Sequence, residues 1–492
     1  MIRHLPILII LCPLVSAQLC LLVSRLHVMV GRVVSALASG ASFVMSILLL
    51  REVLEKGPIH YCFGNYEMPI GIEFSIDSLN ATLLILISFI GFLTCISANH
   101  FTDSKDKVIV GGANTMILLL ITGMLGMTAT GDVFNLYVFL EITSLSAYCL
   151  IALGGSKGIV SAFRYMLIGT IAATFYLLGV AILYANTGTL NMADMGEILN
   201  KGGYDNAMLL AMVLLIAAFA IKMALFPFHG WQPSAYTHAE PGARPLIAGV
   251  MGKVPAIAMF RYLYCVFGTD FAYFRFFLYV LGILSVCGML YGSIRAMAQT
   301  DIRKMLAYSS VAQIGYISLG FAIGTPIALA GAFMHMIGHA FMKSGLFFAT
   351  GAVRWKYGTT ELSDFGRIYK KMPLTCGLFV VAALSMVGIP PTVGFFSKWY
   401  LAVGAVGQHE FIYLAVLIIS SLLNAVYFFR LIEKIFINKD KNLEEIQPVQ
   451  KGELPFGMLV PIVCCFLAII LLGVFNVKIV DVLLITLRGV AL

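Results

Sequence analysis

Only 11% of the 492 residues are charged and 60% are hydrophobic, with mean hydropathy +0.95. Lipid, not water, must therefore solvate most of the chain, which excludes an ordinary soluble domain. The formal charge of +8 does not mark a nucleic-acid face, because most Lys and Arg stand in short loops between apolar runs. That distribution is the pattern of membrane orientation.

The chain opens with Arg3 and an apolar run from Leu5, and Val15-Ser16-Ala17 precedes Gln18 in the manner of a signal-peptide cleavage site. The run continues through Leu19–Val23, however, and Arg25 and Arg32 then outweigh Arg3. A retained first helix with its N-terminus outside is the expectation. Stretches able to cross a ~30 Å hydrocarbon core fall near 5–24, 30–50, 76–98, 110–130, 132–153, 160–185, 207–228, 242–266, 273–297, 302–324, 327–352, 373–402, 410–436 and 455–487. The fold class expected is all-α integral membrane, with about fourteen spans. The longest polar segments are 54–75, 186–206, 353–372 and 437–454. With the N-terminus outside, the inward loops hold twenty Lys and Arg and the outward loops eight, the bias expected of that orientation.

Two spans are interrupted by proline. Span seven reads Lys222-Met-Ala-Leu-Phe-Pro227, and span twelve reads Gly388-Ile-Pro390-Pro391 with Lys398 beyond. If spans 4–8 and 9–13 are taken as two five-helix blocks, these are the fourth helix of each, and the blocks run in opposite senses. Broken helices paired in inverted repeats point to a translocation site. The division expected is 1–107 for three N-terminal helices, 108–268 and 269–436 for the two repeats, and 437–492 for the last loop and helix.

Five ionisable residues are expected at membrane depth, away from the span ends: Glu141, Lys222, Lys253, Lys343 and Lys398. Each costs roughly 2.5–3.5 kcal/mol on insertion scales. A structural Glu–Lys weld needs only one cation, whereas here four face a single acid; snorkelling to the interface is the other bland reading. Burial favours neutral lysine and a nearby carboxylate favours the charged form, so a lysine held between the two can exchange a proton as its partner comes and goes. Arginine could not. Span eleven adds His335, His339 and Lys343 at i, i+4 and i+8, on one helical face. Histidine exchanges protons near neutral pH, so this stripe reads as a proton relay. Packing histidines and a metal pair are alternatives, though no third metal ligand is evident.

The ten cysteines show no metal-ligand spacing, and Cys149, Cys287, Cys464 and Cys465 lie within apolar runs as small hydrophobes. There is no Walker loop, dinucleotide fingerprint or Fe–S cysteine set. No cofactor is expected on this chain, and any redox machinery belongs to other subunits.

Phe134-Asn-Leu-Tyr-Val-Phe-Leu-Glu141, the stretch from Lys222 through Pro227-Phe-His-Gly-Trp231-Gln-Pro233, Gly252-Lys253-Val254, His335 with His339, and Gly388-Ile-Pro390-Pro391 leading to Phe395-Phe396-Ser397-Lys398 together resemble the antiporter-like subunits. That family includes subunits of respiratory complex I, membrane-bound hydrogenases and multisubunit Mrp Na+/H+ antiporters, and the wording is most similar to the D-type subunits of the Mrp antiporters. The resemblance spans nearly the whole chain. It implies a proton-translocating subunit of the cell inner (plasma) membrane with other membrane subunits as partners, protons and possibly Na+ as cargo, and no nucleic acid. It makes Glu141 and Lys222 the paired switch of one half-channel, Lys253 the central relay and Lys398 the terminal lysine of the other. One departure stands out. The family usually reads Trp-Leu-Pro-Asp after the seventh helix, and here the residues are Trp231-Gln232-Pro233-Ser234.

Overall fold

The computed structural model describes residues 4–66, 68–101, 106–202, 206–365, 368–437 and 452–488. Arg3, Lys105, Arg367, Lys439, Lys441 and Lys451, and with the last three most of the expected inward loop 437–454, lie outside the described residues.

Helices dominate. In chain order they are α1 Leu5–Leu26, α2 Val28–Lys56, α3 Ser78–Phe101, α4 Lys107–Ala129, α5 Val133–Ala152, α6 Ser156–Thr187, α7 Met192–Gly202, α8 Asn206–Met223, α9 Gln232–His238, α10 Arg244–Leu246, α11 Lys253–Arg261, α12 Phe274–Met297, α13 Ile302–Ile323, α14 Pro326–Tyr357, α15 Ile368–Lys371, α16 Pro373–Val387, α17 Val393–Gly407, α18 Phe411–Phe436, α19 Phe456–Val474 and α20 Asn476–Leu487. Polar side chains fix several starts. Asp132 accepts from Asn135 N at the head of α5, Asp301 from Arg303 N at α13, and Thr325 from Ala328 N at α14, each satisfying a donor that the first turn leaves open.

Among the described residues twelve helical stretches are long and apolar enough to cross a membrane. Two further crossings escape that measure for physical reasons. Helix α14 has 32 residues but is less apolar, because it carries His335, His339 and Lys343. The α16–α17 pair is split by Gly388–Thr392 into halves of 15 residues. The two blocks repeat the same packing: α4 on α5, α5 on α6 and α6 on α8 are matched by α12 on α13, α13 on α14 and α14 on α17. Helix α14 sits at the centre, touching α3, α10, α13, α16, α17, α19 and α20.

The polar segment 54–75 holds a small antiparallel hairpin, β1 Ile59–Cys62 and β2 Glu73–Ile76, with Ile59 opposite Ile76. Buried Glu73 accepts from Asn191 Nδ2 at 2.7 Å and is hydrogen-bonded to His60, tying this segment to 186–206 on one membrane face. On the other face Lys356 donates to Gly452 O and Thr375 Oγ1 to Glu453 at 2.9 Å. The last expected span, 455–487, is broken at Phe475 into α19 and α20. This third discontinuity has no proline. Asn476 makes it, donating to Gly473 O at 2.7 Å and accepting from Tyr400 OH at 2.6 Å.

Candidate functional site

Both proline breaks leave carbonyls without helical partners, and each is satisfied differently. Helix α8 stops at Met223, Ala224 takes φ +61°, and the Trp231 indole donates to Ile221 O at 2.9 Å. Helix α16 stops at Val387, with Gly388 at φ +96°, and Lys398 Nζ donates to Met386 O at 3.0 Å and Val387 O at 2.9 Å. A β-carbon at Gly388 would lie 3.2 Å from Lys398 Cδ, so glycine there serves both the left-handed turn and the approach of the lysine. Pro227, Pro390 and Pro391 stand within these two breaks. Lys222 is in the last turn of α8, and Lys398 reaches the end of α16. Each cation therefore lies at the negative end of a half-helix dipole.

Buried Lys222 donates to Ser144 Oγ at 2.7 Å, one turn along α5 from Glu141. Glu141 acts on Lys222 electrostatically without a direct ion pair among the described residues, and its Oε1 is buried with no hydrogen-bond partner. Glu141 is half-buried, in line with exposed Phe134, Val138 and Leu145. It thus occupies the flank of α5, not its inner face. Room for Lys222 comes from Gly169, whose β-carbon would stand 2.1 Å from Tyr148 OH and 3.6 Å from Lys222 Nζ.

Lys253 follows a wide π turn at Ile247–Met251 and donates to Ala248 O at 2.9 Å. Such irregular turns cluster at functional sites. It lies within electrostatic reach of His335, His339 and Lys343. His335 Nδ1 is 2.9 Å from Ser397 Oγ and Nε2 is 2.7 Å from Gln313 Oε1. The His335 and His339 rings are parallel, 6.1 Å apart, and His339's nitrogens have no protein partner among the described residues. Lys343 donates to Leu306 O at 2.6 Å and to Ser309. Lys398 also stands over the Tyr316 ring at 4.9 Å. The structure thus gathers Lys253, His335, His339, Lys343 and Lys398 into one buried group, and holds Glu141 with Lys222 apart from it.

Three features escape sequence reasoning. Ser144, Ser309, Gln313 and Ser397 hold the charged groups, yet a lone hydroxyl or amide barely changes hydropathy. Tyr316 is bonded by Ser421, and Tyr427 donates to Asn424 at 2.8 Å, forming a second buried polar ribbon between α13 and α18. Gln232 donates to Tyr236 OH at 3.0 Å while its Oε1 has no partner among the described residues. A β-carbon on Gly252, the neighbour of Lys253, would meet Tyr236 OH at 3.4 Å, Met223 O at 3.6 Å and Gln232 Nε2 at 3.8 Å. The Gln232–Tyr236 pair therefore packs beside Gly252, next to Lys253 in the chain, close to the carbonyl of Met223, next to Lys222. The departure from leucine at 232 was the available signal.

Residues 130–424 match the family model described as NADH:quinone oxidoreductase/Mrp antiporter, TM. The chain is 46% identical over 491 residues to the N subunit of the NADH-quinone oxidoreductase of Desulforudis audaxviator (strain MP104C), covering 98% of both chains. It is 31% identical over 473 residues to the D subunit of the Na(+)/H(+) antiporter of Alkalihalophilus pseudofirmus (strain ATCC BAA-2126 / JCM 17055 / OF4), covering 96% of this chain and 94% of that one. Its fold is similar to a chain of the Mrp complex from Dietzia sp. DQ12-45-1b, with TM-score 0.88, 23% identity and coverage of 99% and 97%.

Proposed function

The chain belongs to the NADH:quinone oxidoreductase/Mrp antiporter family of membrane subunits, and from that premise we propose that it translocates protons within a hetero-oligomeric complex of the bacterial inner membrane. The observation that carries this reading is the run of buried, proton-exchanging groups: Lys222 with its modulator Glu141, Lys253 at a π turn, the His335–His339–Lys343 stripe, and Lys398 at the second helix break. Four buried lysines have no direct ion-pair partner among the described residues. A merely structural cation in hydrocarbon is paired.

In the proposed cycle Lys222 is charged while the field of Glu141 and the Ser144 oxygen stabilise it. Weakening that field releases its proton, which passes by way of the Tyr236 hydroxyl, oriented by Gln232, toward Lys253. From there His339 and His335 carry it to Lys398, which exchanges with the opposite face. With the N-terminus outside, the face bearing loop 353–372 is cytoplasmic.

Identity of 46% to the N subunit of a quinone oxidoreductase, against 31% to the D subunit of an antiporter, favours a place in an electron-transfer complex. The second reading is a cation/proton antiporter of the Mrp D type, favoured by the Asn135–Glu141 wording and by lysine at 398. Purifying the complex from native membranes through a tag on this chain separates them. Co-purifying quinone-oxidoreductase subunits support the first reading, and small cation-antiporter subunits support the second. Recovery of the chain alone, active in proteoliposomes, would remove both.

A further inference from the structure

The Ser234 departure lies in a cavity of about 380 Å³ where the start of α6 meets α9. Its polar lining is Ser156, Lys157, Ser161, Arg164, Ser234 and His238. Ser161 Oγ is 2.6 Å from Ser234 Oγ and 3.2 Å from His238 Nδ1, and His238 Nδ1 is 3.0 Å from Ser234 O. These contacts fix the floor. Lys157 and Arg164, one face of α6 seven residues apart, form no ion pair or side-chain hydrogen bond among the described residues. Arg303 and Lys304 of α13, which packs on α9, also act on His238, Arg303 being itself held by Asp301 at 2.7 Å. No carboxylate lines the cavity. The aspartate that the family usually carries at 234 would have supplied one.

Below this mouth α6 presents an exposed apolar strip of Val160, Phe163, Leu167 and Ile171. Val160 belongs both to the strip and to the cavity wall. A cationic mouth at the end of a membrane helix, continuous with an apolar strip along it, matches an amphiphile with a phosphate head. Basic pockets between membrane helices bind anionic headgroups in this way.

We infer that this cavity is a binding site for the phosphate headgroup of an anionic phospholipid, whose acyl chains lie along the Val160–Ile171 strip of α6. The lipid braces α6 against α9, where Tyr165 already stacks on Trp231 at 3.8 Å, beside the first helix break. The site requires only that the chain spans a membrane, and stands whether or not it conducts protons.

The test is native mass spectrometry of the full chain in its detergent-solubilised complex. The complex is titrated with phosphatidylglycerol, with phosphatidylcholine of the same chains, and with inorganic phosphate. Phosphatidylglycerol should bind in preference to phosphatidylcholine, and millimolar phosphate should not displace it. Lys157→Ala with Arg164→Ala should weaken phosphatidylglycerol roughly five-fold per cation removed and leave phosphatidylcholine unchanged. Ser234→Asp restores the family's usual residue, so it should fold, and it should weaken phosphatidylglycerol at least as much as loss of one cation. Displacement by inorganic phosphate alone would make this a free-anion site and overturn the lipid assignment. Equal retention of both lipids, or variants that bind as the wild type does, would overturn the site. No arm reads transport, so failure here leaves the proton pathway untouched.

Discussion

Lys222 rests on Ser144, not on Glu141: its ammonium donates to the hydroxyl at 2.7 Å, while the carboxylate one turn away acts through space. A hydroxyl can accept from a charged lysine and donate to a neutral one. Ser144 can therefore hold Lys222 in place in both protonation states, and Glu141 is left to set the balance between them.

Ser144→Ala should lower the initial rate of proton uptake in proteoliposomes about ten-fold, the scale of one hydrogen bond to a charged group. Ser144→Thr should restore it. Glu141→Gln should behave differently and move the pH optimum downward, because a Lys222 without its carboxylate is charged only at lower pH. Rate–pH profiles normalised to inserted protein make the comparison. If Ser144→Ala runs at the wild-type rate, the hydroxyl is only helix packing.

The Gln232–Tyr236 pair packs beside Gly252, the chain neighbour of Lys253, and leucine is the residue usual in the family at 232. Gln232→Leu should therefore fold and assemble, since it exchanges a buried amide for a side chain of similar size. Its transport should fall roughly 100-fold, the lower end of the range for a positioned proton-transfer group, because the Tyr236 hydroxyl loses the amide that holds it. Tyr236→Phe should give a similar loss. Wild-type rates in both variants would route the proton elsewhere.

Sidedness is a separate matter. Cysteines at Glu197 and Glu361, both exposed, replace residues on opposite faces. An impermeant maleimide applied to intact cells should label E197C, and E361C only after permeabilisation. Labelling of both from one side would break the alternation of spans.

The membrane charges and the two proline breaks were legible in the sequence because each contradicts its surroundings: a lysine in an apolar run, a proline inside a span. The stripe of His335, His339 and Lys343 followed from helical spacing alone. What holds these groups was not legible. Ser144 and Ser309 meet their lysines across 78 and 34 residues of sequence, and a serine in a membrane helix signals nothing by itself. The break at Phe475 was hidden because no proline marks it and the polar residues Asn476, Lys478 and Asp481 follow among otherwise mostly apolar neighbours. Glu141 could have been placed on the flank of α5, because Phe134, Val138 and Leu145 share its helical face.

The central claim is that Lys222 works by releasing its proton, and Lys222→Arg measures it most directly. Arginine keeps the positive charge beside Glu141 and can still donate to Ser144, but it does not deprotonate in proteins. Proton transport by the intact complex in proteoliposomes, normalised to assembled protein, should fall to background in this variant and equally in Lys222→Ala. Transport near the wild-type rate in Lys222→Arg, with Lys222→Ala inactive, would make Lys222 a fixed counter-ion and contradict the proposed cycle.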